Sequence, residues 1–213
     1  MANQDRKLQK EISKLEAENA HLRNEILARR QFIDSMQNLV DALEDPKPKF
    51  EIMDLLSEVL KNALETIHAK DGSLLVLDEE THELVFVVTH GELPSETLHW
   101  RRLPAGDGIA GWVVKNQKAT IVNDAKSDGR FYSDFDDEFD FETRSVLAAP
   151  IVGGGHVLGV VEVLNKQDNK LFNSDDQTLL TLMCRFSGEL LTTVIRRTSP
   201  PSHDTTMVNK PVV

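Results

Sequence analysis

One cysteine, Cys184, stands among 213 residues, so no internal disulfide can hold the chain together. Its neighbours Met183 and Phe186 mark the thiol as a buried core group. Basic residues are also short: 24 Lys and Arg face 35 Asp and Glu, a net charge of -11. Such a chain repels nucleic acid and anionic membrane, and neither is expected as a partner. The apolar runs are too short for a bilayer span and the N-terminus is charged, unlike a signal peptide, so a soluble, cytoplasmic protein is expected. There is no Gly-Lys-Ser/Thr phosphate loop, no paired-histidine metal motif and no nucleophile elbow. The seven histidines are scattered, and His82, His90 and His99 read as turn or surface residues. The acidic stretch around Asp134–Glu142 lacks the glycine and the spacing of an EF-hand loop. Enzyme activity, a metal and a covalent cofactor are therefore not expected.

What the chain does have is a Gly-rich hairpin near its middle. Thr143 to Asn165 reads as two apolar strands meeting at Gly153-Gly154-Gly155, and glycine reaches the positive φ of a tight turn without steric cost. Both strands are apolar on both faces, which places the hairpin mid-sheet and covered on either side. At 40% hydrophobic, the length suits one domain with an accessory segment.

The accessory segment, 5–45, is a heptad helix. Leu8, Leu15, Leu22, Met36 and Leu43 share one register as d positions, and Ile12, Ile26, Ile33 and Val40 hold the a positions. β-branched residues at a with leucine at d favour a parallel two-stranded coiled coil, and Asn19 at an a site would fix register and dimer state. Glu18 with Arg23 and Glu25 with Arg30 suit parallel pairing, whereas Arg29 at a d site breaks the pattern. Phe32 and Leu39 widen the stripe towards the next domain. The alternative is one long helix folded back on its own domain. A basic-zipper DNA binder fails, because the heptads leave no basic arm before them.

Residues 46–49 form a proline-bearing linker. A helix follows over Phe50–Ala69, then strands at Ser73–Leu77 and Leu84–Val88 around a polar turn, and a third strand at Leu98–Leu103. Glycines from Gly106 to Gly111 lead into a short helix whose free N–H groups suit a phosphate or carboxylate, or which is simply a tight packing corner. Thr120–Val122 is a short strand, Asn123–Glu142 a loop, and the last helix starts at Ser174 with Gln177 as a capping-box partner. About six mostly antiparallel strands with helices at both ends make an α+β domain over 50–196. Residues 197–213, rich in Pro, Ser and Thr, read as a disordered tail.

Three segments together resemble the GAF domain, the small-molecule sensory module of signalling proteins. They are Leu103–Trp112 with Ile121–Ala125 and Asp128–Phe131; Thr143–Leu147 running into Ala149–Ile151; and Leu158–Lys166 with Phe172 and Asp176. The last, centred on Asn165, Lys166, Phe172 and Asp176, is similar to the Asn-Lys-Phe-Asp-Glu signature of GAF domains in cyclic-nucleotide phosphodiesterases and bacterial adenylate cyclases, with Gln177 in place of the final Glu. The resemblance implies a structural ion pair between Lys166 and Asp176. It also implies a ligand on one sheet face under 123–142, a cyclic nucleotide (cAMP or cGMP) being the leading candidate, with its phosphate near the N–H groups of Ile109 and Ala110. The single cysteine excludes the sulfoxide-reductase chemistry of one GAF branch, and Cys184 is misplaced for bilin attachment.

The residues themselves bear on that ligand. Ala148, Ala149 and Gly159 leave room for a flat ring; Phe131, Tyr132 and Phe141 stack on a base or merely close the core. Thr143, Ser73, Asn123 and Asp124 are the hydrogen-bonding candidates of the face. Glu162, the only charge in an apolar strand, needs a buried partner, for which Arg101 or a purine amino group would serve. The acidic cluster from Asp134 to Glu142 opposes phosphate binding unless it faces solvent. Two functions stand: a dimeric sensor relaying a ligand signal through its helices to a downstream protein, and a ligand-free scaffold for dimerisation and protein contacts.

Overall fold

The computed structural model describes residues 2–44, 52–92 and 95–198. Helix α1 (Ala2–Glu44) runs unbroken through the heptads. Its described a and d residues Leu8, Ile12, Leu15, Leu22, Ile26 and Ile33 are each about half exposed, and Asn19 is exposed with them. The side chains of Phe32, Met36, Leu39, Val40 and Leu43 lie outside the described residues, as do 46–49 and 199–213.

Helix α2 (Ile52–Ile67) leads into strands β1 (Ala69–Asp78) and β2 (Glu83–His90). Their turn is built by Asp78, whose Oδ1 accepts from the Glu80 and Thr81 backbone N–H groups and whose Oδ2 accepts from Arg102 at 2.9 Å. The Arg102 hydrogen bond holds the Asp78 carboxyl down at about 2.

The strand expected at Leu98–Leu103 is corrected. Leu98 ends a short helix, α3 (Ser95–Leu98), and the strand is only β3 (Arg102–Pro104). The cause is Trp100, held at φ +67 while its N–H donates to the Phe86 carbonyl at 2.8 Å. That left-handed residue breaks the alternation, so strand geometry begins only at Arg102.

Then come α4 (Gly108–Asn116), β4 (Thr120–Val122), α5 (Asp134–Phe139), β5 (Val146–Gly153), β6 (His156–Lys166) and α6 (Ser174–Thr198). Within the expected loop, α5 is an addition. Three carboxylates in its first turn, Asp134, Asp136 and Asp137, suit the positive helix end. Asp140, in the left-handed region at φ +50, stops it.

All strands pair antiparallel in the order β3-β2-β1-β6-β5-β4, so the hairpin occupies the interior of the sheet. Gly153 pairs with His156, which leaves Gly154 and Gly155 at the turn with φ +58 and +84, the conformation a two-residue hairpin requires. Side chains alternate between two cores. Leu74, Leu147, Ala149, Val161 and Val163 face α2 and α6, whereas Leu75, Ala148, Val160 and Leu164 face α4 and the α5 segment. Sheet and α6 approach backbone to backbone: a Cβ on Gly188 would lie 2.2 Å from the Val152 oxygen, and one on Gly153 would lie 2.1 Å from the Gly188 oxygen.

Helix α6 is capped one residue earlier than expected. Asn173 Oδ1 accepts from the Asp175 and Asp176 N–H groups, and Asp176 Oδ2 accepts in return from the Asn173 N–H at 2.9 Å. Gln177 is thereby free of capping and donates to the Ala119 carbonyl at 2.9 Å. By length and composition α6 is the one helix among the described residues able to cross a bilayer, contrary to the expectation from apolar runs. Here its apolar residues Leu180, Met183, Cys184 and Leu191 are buried in the domain core. It also extends two residues into the expected tail.

Candidate functional site

The strands carry small or polar side chains on the α4 face at one place. Ser73 of β1 and Glu162 of β6 are paired across the strands, and Ala148 of β5 is paired with Glu162 in turn. A cavity of about 90 Å³ lies there. Ser73, Phe86, Val146, Glu162 and Leu164 form its floor, and Gly108, Ile109 and Ala110 at the start of α4 form one wall. Phe131, Tyr132, Phe141 and Thr143 close the sides, and Phe135, Asp136 and Phe139 of α5 make the roof. No Lys or Arg lines it.

Glu162 is the one carboxylate on the floor. Its partner is the Ser73 hydroxyl, which donates to Oε2 at 3.3 Å. Although part of its surface is accessible, that surface faces the cavity rather than bulk water. Burial therefore dominates and pushes the carboxyl up to about 7, against a smaller lowering from Ser73. Near neutrality this group can donate or accept a hydrogen bond.

The roof is held at two points. Asp136 accepts from the Thr143 N–H and from the Thr143 hydroxyl, both at 2.7 Å. Arg101 donates through Nη1 and Nη2 to the two oxygens of Glu138, and its guanidinium lies 5.5 Å and 5.7 Å from the Phe135 and Phe139 ring centres. Phe135 in turn packs edge-on against Phe86 and Tyr132. Tyr132 donates its hydroxyl to Asp134, which raises the phenol's pKa. Behind the α4 wall, Arg130 stacks on Trp112 at 4.7 Å and chelates Asp128, whose carboxyl it holds down at about 2.

Of the residues expected to bind a ligand, Ser73, Ile109, Ala110, Phe131, Tyr132, Thr143 and Glu162 converge on this cavity. Arg101, Asn123 and Asp124 do not line it. Arg101 is corrected as the partner of Glu162: its guanidinium is bound to Glu138 instead. Asn123 clamps the Phe172 backbone, donating to its carbonyl at 3.0 Å and accepting from its N–H at 2.9 Å. Asp124 caps a single 3-10 turn by accepting from Ser127.

A second cluster ties β6 to α6. Asn165 sits at φ +53, where Asn is tolerated, and its side chain accepts from the Arg144 and Ser145 N–H groups and donates to the Glu142 carbonyl. Lys166 and Asp176 form an ion pair with both side chains about nine-tenths buried, beside Phe172. These contacts are structural.

Sequence reasoning missed Phe86 and Leu98, which also line the cavity, and the anchoring contacts of Asp136 and Glu138. The i, i+4 spacing of Phe135 and Phe139 was the signal available for a helical roof.

The family model described as GAF domain matches residues 51–191, the whole sheet and most of α6. The chain belongs to the GAF domain family. This GAF domain is 27% identical over 142 residues to a probable 3',5'-cyclic phosphodiesterase of Caenorhabditis elegans, a match covering 63% of this chain and 19% of that protein. It is 33% identical over 98 residues to the dual 3',5'-cyclic-AMP and -GMP phosphodiesterase 11A of Takifugu rubripes, covering 45% of this chain and 11% of the other. Both matches thus span under a fifth of the relatives' lengths. Among solved structures, the GAF domain of a phosphoenolpyruvate-protein phosphotransferase from Coxiella burnetii superposes with a TM-score of 0.66 at 17% identity, over 80% of this chain and 98% of that one. At that identity the likeness speaks for the fold alone.

Proposed function

We propose that this GAF domain is a non-catalytic, dimeric regulatory module that binds a cyclic nucleotide, cAMP or cGMP, in the cavity under α5. The observation that carries the reading is Glu162, a carboxyl held near neutrality by burial, on the floor of an aromatic cavity beside the helix-start N–H groups of Ile109 and Ala110. A purine edge meets Glu162 and Ser73, its ring lies between the Phe131 and Tyr132 side and the sheet, and its phosphate faces α4, where a helix start favours anions. The likeness to cyclic-nucleotide phosphodiesterases supports the same ligand class.

Relay follows from shared strands. Ser73 and Glu162 line the cavity, while their neighbours Leu74, Val161 and Val163 pack towards α2 and α6. A shift of β1 or β6 is therefore felt in the helical layer, which touches α1. The exposed heptad face of α1, with Asn19 at its centre, supports parallel pairing with a second copy, and the paired helices pass the change to a signalling partner.

The scaffold reading draws on a different observation. The cavity is well below the roughly 300–1,000 Å³ of ordinary ligand sites, and no basic side chain lines it. Thermal unfolding with cAMP and cGMP separates the two. A ligand at a hundred times its dissociation constant stabilises the fold by about 2.7 kcal/mol, and Glu162→Gln reduces that gain. Flat melting curves with both nucleotides favour the scaffold. Light scattering tests the dimer: a monomeric mass for the full chain removes the coiled coil.

A further inference from the structure

We infer that the Arg101–Glu138 pair is the release point of the α5 roof, so that Arg101 acts as a positioning residue for access to the cavity. The purpose of that access rests on the ligand reading above, but the opening itself does not depend on any ligand. A cavity of about 90 Å³ admits a water cluster or a small ring, not a nucleotide, so a larger guest requires α5 to move.

The two anchors of the roof differ in strength. Thr143 is buried at 4% exposure, and both of its bonds to Asp136 are short. By contrast, the Arg101 and Glu138 side chains are 41% and 45% exposed. Bidentate geometry puts this pair at the upper end for an exposed ion pair, still only about 1 kcal/mol, and the cation–π contacts to Phe135 and Phe139 add a similar amount. The weaker anchor opens first, and α5 pivots on the Asp136–Thr143 contact. Two features make Arg101 the natural control point. One guanidinium bridges a carboxylate and two roof rings at once. The helix it holds also carries four carboxylates, Asp134, Asp136, Asp137 and Glu138, in six residues and no cation of its own.

Amide hydrogen exchange on the full, ligand-free chain tests this. Arg101→Met removes the ion pair and both ring contacts, so exchange across 134–139 rises roughly tenfold. Glu138→Gln removes the ion pair alone, and exchange there rises roughly threefold. Exchange over 157–164 stays unchanged in both. The charge-swapped double variant Arg101→Glu, Glu138→Arg recovers about half of the Arg101→Met change on a logarithmic scale. Unchanged exchange at 134–139 in both single variants overturns the inference. So does a rise that spreads equally through β5 and β6, which is general loosening, or one that the charge swap fails to reduce. None of these readouts depends on a nucleotide, so failure of cAMP or cGMP to bind leaves the inference standing or falling by itself.

Discussion

Gln177 donates its side-chain N–H to the carbonyl oxygen of Ala119, joining the first turn of α6 to the segment that enters β4. Sequence position 177 is where related signatures carry Glu, and a carboxylate cannot make this bond. Gln177→Glu sets an acceptor against an acceptor in a half-buried site, at a cost of about 1–3 kcal/mol. A negative charge near the helix start returns only about 0.3–1 kcal/mol. The loss wins, and denaturant titration at pH 7 registers a net destabilisation of about 1 kcal/mol. Equal stability of the two proteins would show that the bond has no weight.

Glu162 makes folding depend on pH in the unusual direction. Its folded value of about 7 lies above the ordinary 4.5, so between those values the folded state holds more protons than the unfolded one. Stability from this group is present below about pH 4.5 and is lost as pH rises through about 7. At about 1.36 kcal/mol per unit, the loss is at most about 3.4 kcal/mol, less where cavity water screens the charge. Glu162→Gln flattens the fall in melting temperature between pH 5 and pH 8. A fall that persists in the variant assigns the effect to another group.

Among the buried polar atoms of the described residues, Asn62 Nδ2, Thr66 Oγ1 and Ser187 Oγ have no hydrogen-bond partner. Thr66 is 3% exposed on α2, so its hydroxyl lost hydration on folding without replacement. Thr66→Val keeps the shape and removes the unpaired group. We expect it to stabilise the domain by about 1 kcal/mol, read from the denaturation midpoint. A loss of stability would mean that an ordered water serves the hydroxyl.

Gly188 is the contact on which α6 settles. A methyl there would stand 2.2 Å from the Val152 oxygen, and backbone cannot yield as a side-chain tip can. Gly188→Ala gains about 1 kcal/mol of helix propensity, yet overpacking costs about 1–3 kcal/mol or more. The variant melts lower than the parent, with β5 and α6 amides exchanging faster. A higher melting temperature would place α6 farther from the sheet.

The chain announced its sheet more clearly than its site. Val146–Gly153 and His156–Lys166 read as central strands because both faces were apolar, and the paired glycines at 154 and 155 fixed the turn. Trp100 hid the true extent of β3, since a left-handed aromatic residue has no signature in composition. Glu162 stood out because a lone charge in an apolar strand is costly, but its partner was not legible. Which cation or hydroxyl meets it depends on how Arg101 leaves the turn, and long-range geometry alone decides that. Asn123 shows the same limit: a polar residue near a ligand face and a clamp on Phe172 look identical in one dimension.

The two ends of the sheet, β3 and β4, are three residues each. A partner strand finds only three residues to pair with on each outermost strand, too short for a lasting ladder. Copies of this domain held side by side at high local concentration are thereby steered away from fibre-like stacking.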